Sequence, residues 1–138
     1  MEKKLHHIAI VCDDIEKNIN FFMRVYGCNK KEDIFFDKAQ DVKVQFIERN
    51  NLLIEILEPL SKKSPIYSFL DKNGSGALYH MAFEVEDLDQ TEIEIRSNGG
   101  LIVSKSKNNW CGMEVMFAYF LDKNNQKQLV EYVSFPKK

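Results

Sequence analysis

Four residues stand out because of what surrounds them. Glu55 lies within Leu52-Leu53-Ile54-Glu55-Ile56-Leu57, and Glu131 within Leu129-Val130-Glu131-Tyr132-Val133. Burying a carboxylate unpaired among aliphatic side chains costs several kcal/mol. Neither apolar run contains a Lys or Arg to offset that cost. His7 and His80 also occur in short apolar runs, each two residues before an alanine, Ala9 and Ala82. Two imidazoles and two carboxylates form a donor set suited to a divalent transition metal such as Mn, Co, Ni, Fe or Zn. Four protein ligands in an octahedral set leave two adjacent positions for water or for substrate oxygens. Taken singly, each residue has a plainer explanation. A lone histidine in a half-buried strand is usually a hydrogen-bonded core residue, and a lone glutamate usually points to solvent. The recurrence of the pattern favours the metal.

That recurrence is an internal repeat. Residues 5–17 read LHHIAIVCDDIEK and residues 78–90 read LYHMAFEVEDLDQ, a separation of 73 positions (80 − 7 = 73). Leu5/Leu78, His7/His80, Ala9/Ala82 and Asp14/Asp87 are identical, and the same separation brings Gly27 onto Gly100. The halves also close alike, with LIEILEP at 53–59 and LVEYVSFP at 129–136. There the separation has grown (131 − 55 = 76), so the second half should carry a small insertion. The polar stretch Ser104–Gly112 is its expected place. Trp110 and Cys111 within it read as a packing plug rather than the lining of a pocket mouth. His6 has Tyr79 as its counterpart and is therefore not counted among the ligands.

Elements that would position these residues follow from the hydrophobic pattern. His6–Cys12 alternates as a strand. Asp14 is placed to cap a helix through Ile15, Ile19, Phe22 and Tyr26, which Gly27 ends. Asn29–Phe36, Val42–Glu48 and Leu52–Leu57 read as strands. Pro65–Leu70 suits a short connecting helix, and Lys72–Gly76 a flexible joint. In the second half Tyr79–Val85 is a strand, and Asp87, with Gln90 at capping-box spacing, starts a helix across Thr91–Ile95. Leu101–Val103, Val115–Leu121 and Gln128–Val133 complete three more strands. Side chains alternate along a strand. His7, Ala9 and Val11 therefore share one face and Ile8, Ile10 and Cys12 the other, with His80 and Ala82 likewise opposed to Met81 and Phe83. The small alanines leave room above the histidine faces. The fold class is α+β, two βαβββ modules forming a cup-shaped mixed sheet around a metal site, in a single domain over 1–138. Module 1 covers about 5–60, a linker helix 61–76, and module 2 about 77–136.

Composition narrows the classes further. The chain has 138 residues, 44% hydrophobic and 29% charged, the balance of a water-soluble folded domain. Its 19 Lys+Arg against 21 Asp+Glu give a net charge of -2, which is not the footprint of a general nucleic-acid binder. Cys12, Cys28 and Cys111 form no CxxC pair, so a zinc ribbon or disulfide scaffold is unsupported. No apolar run approaches the ~20 residues of a membrane-spanning helix. The N-terminus lacks a signal-type apolar region, and a cytoplasmic location is expected.

Taken together, Leu5–Ile10, Ile56-Leu57-Glu58-Pro59-Leu60 with Ser64-Pro65-Ile66, Tyr79–Leu88 and Leu129-Val130-Glu131 resemble the vicinal oxygen chelate superfamily of glyoxalases, bleomycin resistance proteins and dioxygenases. Within it they are most similar to the methylmalonyl-CoA epimerase branch. The resemblance implies a homodimer and a divalent metal held by His7, Glu55, His80 and Glu131. It also implies that Glu131 acts in proton transfer at the carbon between a thioester and a carboxylate. The metal would stabilise the enolate of an acyl-CoA-like substrate. The implied partners are a small-molecule substrate and a second copy of the chain, not nucleic acid or membrane.

Two stretches depart from that branch. Some members carry a second carboxylate in the strand that here reads Val42-Lys43-Val44-Gln45-Phe46, and Gln45 cannot exchange a proton at neutral pH. A His-Pro turn and glycine-rich hairpin are replaced by Asp122-Lys123-Asn124-Asn125-Gln126. The alternatives are a glyoxalase I-like lactoylglutathione lyase and a metal-free binding or resistance protein. The first is disfavoured because Ile8-Ala9-Ile10-Val11, with no arginine, follows His7. Retention of all four donors disfavours the second.

Overall fold

Asp14 and Asp87, aligned by the repeat, cap the first helix of each half. Asp14 has extended backbone and its side chain accepts from the Lys17 amide, opening α1 (Ile15–Tyr26). Asp87 Oδ1 accepts from the amides of Asp89 (2.9 Å) and Gln90 (3.2 Å), opening α3 (Leu88–Ser97). Each bond satisfies a helix-end amide that has no partner within the helix. The computed structural model describes residues 2–107 and 112–137. In it the chain divides into two units, His7–Tyr79 and the remainder, Met1–His6 with His80–Lys138.

In the unit His7–Tyr79 the strands are β1 (Lys4–Val11, which begins just before the unit), β2 (Asn29–Lys30), β3 (Phe35–Asp37), β4 (Val42–Arg49) and β5 (Leu52–Pro59). Their order is β2-β4-β5-β1, and β3 also pairs with β4. β1 and β5 run parallel, while β4 and β5 form an antiparallel hairpin. The expected single strand Asn29–Phe36 is two short strands instead. Between them lies the charged run Lys31-Glu32-Asp33, where Glu32 gives its carbonyl to the Gln45 side chain at 2.8 Å. The connecting helix α2 spans Tyr67–Asn73, two residues later than Pro65 suggested. The expected flexible joint is tied down: Gly76 N–H donates to the Val11 carbonyl at 2.8 Å, and Ser75 Oγ donates to Asp13 at 3.0 Å.

One face of this sheet carries α1. Ile10, Cys12, Ile47, Ile54 and Ile56 pack there with Ile15, Ile19 and Cys28. On the other face Ala9 and Val11 join Val42, Val44, Leu57 and Ile66 in a second buried cluster, with Phe69, Leu70 and Tyr79 packed against it. Ala9 and Val11 are fully buried. The room expected above Ala9 is thus taken up by the segment leading into and through α2.

The other unit contains β6 (Leu78–Glu84), α3, β7 (Leu101–Lys107), β8 (Glu114–Leu121) and β9 (Lys127–Ser134), in the order β6-β9-β8-β7. β6 and β9 are parallel; β8 forms antiparallel pairs with β7 and β9. Thr91–Ile95 is helical, as the repeat requires despite its alternation. Val85, Leu88, Ile95, Met116, Ala118 and Tyr132 form the core between α3 and the strands.

The insertion is not where the sequence placed it. Ser104–Lys107 belong to β7 and pair with Glu114–Phe117; Trp110 and Cys111 lie outside the described residues. Strand register instead puts the additional length in the last hairpin. Glu55 pairs with Phe46, and Glu131 with Phe117. The separations are 131 − 117 = 14 and 55 − 46 = 9, so the second hairpin is five residues longer. Asp122 holds its loop by accepting the Asn124 and Gln126 amides at 2.9 and 3.0 Å.

Candidate metal centre

Each unit presents one His–Glu pair on a strand face. In His7–Tyr79, β1 and β5 run parallel with Ala9 beside Glu55, which brings His7 Nε2 to 3.7 Å from Glu55 Oε1. In the other unit, β6 and β9 run parallel with Ala82 beside Glu131, and His80 Nε2 lies 3.7 Å from Glu131 Oε1. The two arrangements are the same: parallel strands, an alanine two residues after the histidine, and a glutamate in register with that alanine. A larger residue at Ala9 or Ala82 would crowd the carboxylate, because side chains in register on neighbouring strands stand side by side.

Burial shapes the electrostatics. His7, His80 and Glu131 are buried, the last at 8% exposure. Removal from water pushes the Glu131 carboxyl up to about 7. The same cause lowers His80 to about 4. At neutral pH His80 is therefore an uncharged imidazole, and its closeness to Glu131 is not an ion pair. A neutral imidazole with a free lone pair is the form that binds metals. A carboxylate whose ionisation is opposed by burial gains most from an adjacent cation. The donor set and its surroundings therefore fit a divalent ion.

Phe46 and Phe117 complete each face and were not singled out in the sequence. Phe46 stands in register with Glu55 on β4, and its ring meets His7 edge-on, with centroids 6.0 Å apart and planes at 90°. Phe117 stands in register with Glu131 on β8 and meets His80 at 5.4 Å and 83°. The signal that would have found them is hairpin register. Without the turn lengths, Phe46 and Phe117 are 71 positions apart (117 − 46) and fall outside the 73-residue repeat.

Other singled-out residues lie elsewhere. Gln45 pairs with Ile56 in register and so occupies the α1 side of the sheet, where it is buried and bonded to Glu32. It is not on the face of His7 and Glu55; the β4 residues on that face are Val42, Val44, Phe46 and Glu48. Of these only Glu48 is a carboxylate, and it pairs with Lys31 at 3.5 Å. His6 lies against Phe135, centroids 5.6 Å apart; burial lowers its pKa, and Glu84 acts in the opposite sense. Glu58, part of the epimerase-like stretch, has a structural role. Its Oε1 accepts the Ile15 amide at 2.7 Å at the start of α1, and Oε2 pairs with Lys43 at 3.4 Å.

Residues 6–117 match the model of the glyoxalase/bleomycin resistance protein/dioxygenase superfamily, and the chain belongs to that superfamily. The fold expected from the sequence, α+β with a βαβββ order in each half, holds apart from the divided strand. The human mitochondrial methylmalonyl-CoA epimerase is 31% identical over 93 residues, 67% of this chain and 52% of that protein. The chain thus spans about half the length of that relative. The ethylmalonyl-CoA/methylmalonyl-CoA epimerase of Cereibacter sphaeroides is 30% identical over 106 residues, 75% of this chain and 77% of the relative. The crystal structure of methylmalonyl-CoA epimerase from Mycobacterium tuberculosis shares the fold, with a TM-score of 0.77 at 23% identity over 97% of this chain and 89% of that one. Among the described residues no helix is long and apolar enough to cross a membrane.

Proposed function

We propose that the chain is a metal-dependent epimerase acting on an acyl-CoA whose α-carbon lies between a thioester and a carboxylate. His7 and Glu55 from one unit, with His80 and Glu131 from the other, would together hold one divalent ion. The observation that carries this reading is the duplicated His–Glu pair, set at 3.7 Å in both units by matching strand register. The similarity to epimerases of methylmalonyl-CoA and ethylmalonyl-CoA supports the substrate class.

A bound divalent ion supplies Lewis-acid stabilisation to the negative charge that develops on the substrate oxygens. The chain's own residues do the rest. Glu131 would accept the carbon-bound proton; burial pushes its carboxyl up to about 7 in the metal-free chain, and a bound ion would act in the opposite sense. Neutral His80 beside it contributes a lone pair without adding charge. Phe46 and Phe117 stand beside the two carboxylates in strand register and meet the His7 and His80 rings edge-on. Return of the proton by Glu131 restores the original isomer; protonation of the opposite side by water, with the proton on Glu131 released to solvent, would give the epimer. The active species is proposed to be a homodimer located in the cytoplasm.

The test is incubation with methylmalonyl-CoA in heavy water after reconstitution with Co, Ni, Mn, Zn or Fe. Deuterium should enter at C2 and the substrate should racemise, and E131Q should abolish both. Failure to exchange with every metal would remove methylmalonyl-CoA as the substrate.

A further inference from the structure

The geometry points to Phe46 and Phe117 as positioning residues that fix the rotation of the His7 and His80 imidazoles for metal binding; this rests on the metal reading above. Three observations carry it. Each phenylalanine stands in strand register with the glutamate of its pair, so backbone pairing fixes the position from which its ring reaches the imidazole. Each meets its imidazole edge-on, at 6.0 Å and 90° for Phe46 and 5.4 Å and 83° for Phe117. The arrangement occurs twice, although the hairpins that deliver the rings differ in length by five residues.

Aromatic pairs prefer this T-shaped arrangement at centroid separations of roughly 4.5–7 Å. Rotation about the Cβ–ring bond of a histidine is otherwise soft. An imidazole that swings away from the bound orientation must be recovered when the ion arrives, and affinity falls by the fraction of time it is misplaced. Metal-bound histidines are commonly held by a hydrogen bond to the second ring nitrogen. An aromatic edge contact adds a second restraint of a different kind. Phe35 provides an internal comparison. It stacks on Phe46 with centroids 6.5 Å apart and planes at 22°, and it is 42% exposed. It touches the same ring without being the His7 contact.

Full-length wild type, F46L, F117L, F46Y, F117Y and F35L would be stripped of metal and titrated with Co(II), followed by visible absorption. F46L and F117L should each bind cobalt about three- to tenfold more weakly. The tyrosine variants, which keep the ring, should recover wild-type affinity, and F35L, which removes only the stacking partner of Phe46, should weaken binding less than F46L does. In the metal-free proteins the imidazole resonances of His7 and His80 provide a second readout. They should stay sharp in wild type and the tyrosine variants, and broaden for His7 in F46L and for His80 in F117L. Equal cobalt affinity and equal line widths in the leucine variants would overturn the inference, as would tyrosine variants as weak as the leucine ones. If wild type itself binds no cobalt, the metal reading falls and the positioning role falls with it. That result is distinct from tight wild-type binding unaffected by substitution.

Discussion

Glu131 illustrates how one side chain can be costly to the fold and useful to the site. Burial pushes its carboxyl up to about 7, well above the ordinary carboxylate range. A raised folded-state pKa means that the folded protein holds the proton more tightly than the unfolded chain. Metal-free stability therefore falls as pH rises from about 4.5 through about 7 and stays low above that. His80, depressed to about 4, works in the opposite direction: its contribution is present above 6.5 and is lost as pH falls towards about 4. E131Q removes only the first effect. Urea unfolding of the metal-free proteins should show E131Q more stable than wild type at pH 8, by an amount on the order of 3 kcal/mol, with the difference vanishing near pH 4. The same logic applies to Cys12, which is fully buried, donates to the Leu57 carbonyl, and has its thiol pushed up to about 12 by desolvation and by Glu58 and Asp13. The thiolate is the reactive form. Iodoacetamide at pH 8 should leave Cys12 unmodified in native protein and label it after denaturation, as read by peptide mass mapping. All four candidate ligands were legible in the sequence because a charged or polar residue in an apolar strand is conspicuous. Phe46 and Phe117 were not, because an aromatic residue in such a strand looks like ordinary core.

At the level of elements, the repeat located most boundaries correctly, and it failed where local chemistry outweighed periodicity. It correctly made Thr91–Ile95 a helix. It could not show that charged residues 31–33 would divide a strand, or that Ser104–Lys107 would pair with β8. Gly27 and Gly100 show equivalent positions answering different demands. Gly27 ends α1 in the left-handed region, φ 70°. In the second half that conformation falls to Gly99, φ 83°. Gly100 is required by close packing: a Cβ there would come within 2.5 Å of Ile95 Cγ2 and 2.8 Å of Phe120 Cε1. G100A should destabilise by about 1–3 kcal/mol through overpacking, and G27A by about 1 kcal/mol through backbone strain. In G100A, trimming the neighbour with F120L should recover part of the loss, whereas no side-chain trimming should rescue G27A. Denaturant midpoints would separate the two.

For the molecule as a whole, the proposed site asks each unit for half of its ligands. Metal should then stabilise both units together. Cobalt at about 100 times its dissociation constant should add about 2.7 kcal/mol to unfolding. The accompanying rise in Tm should be lost alike in H7A and H80A, though these residues belong to different units. A rise that survives either substitution would separate the two pairs into independent features. The duplication was legible as spacing, but the equivalence of the two His–Glu pairs became visible only through strand register. The five additional residues of the second hairpin sit beyond Phe117 and Glu131, so the pairing of those two residues is the same as that of Phe46 and Glu55. Length variation has therefore been absorbed at a solvent-exposed turn that Asp122 closes on itself. That turn is a ready attachment point. A fluorophore or affinity handle introduced at Lys123 or Asn124 would report on the protein while leaving both His–Glu pairs and the strands that hold them unchanged.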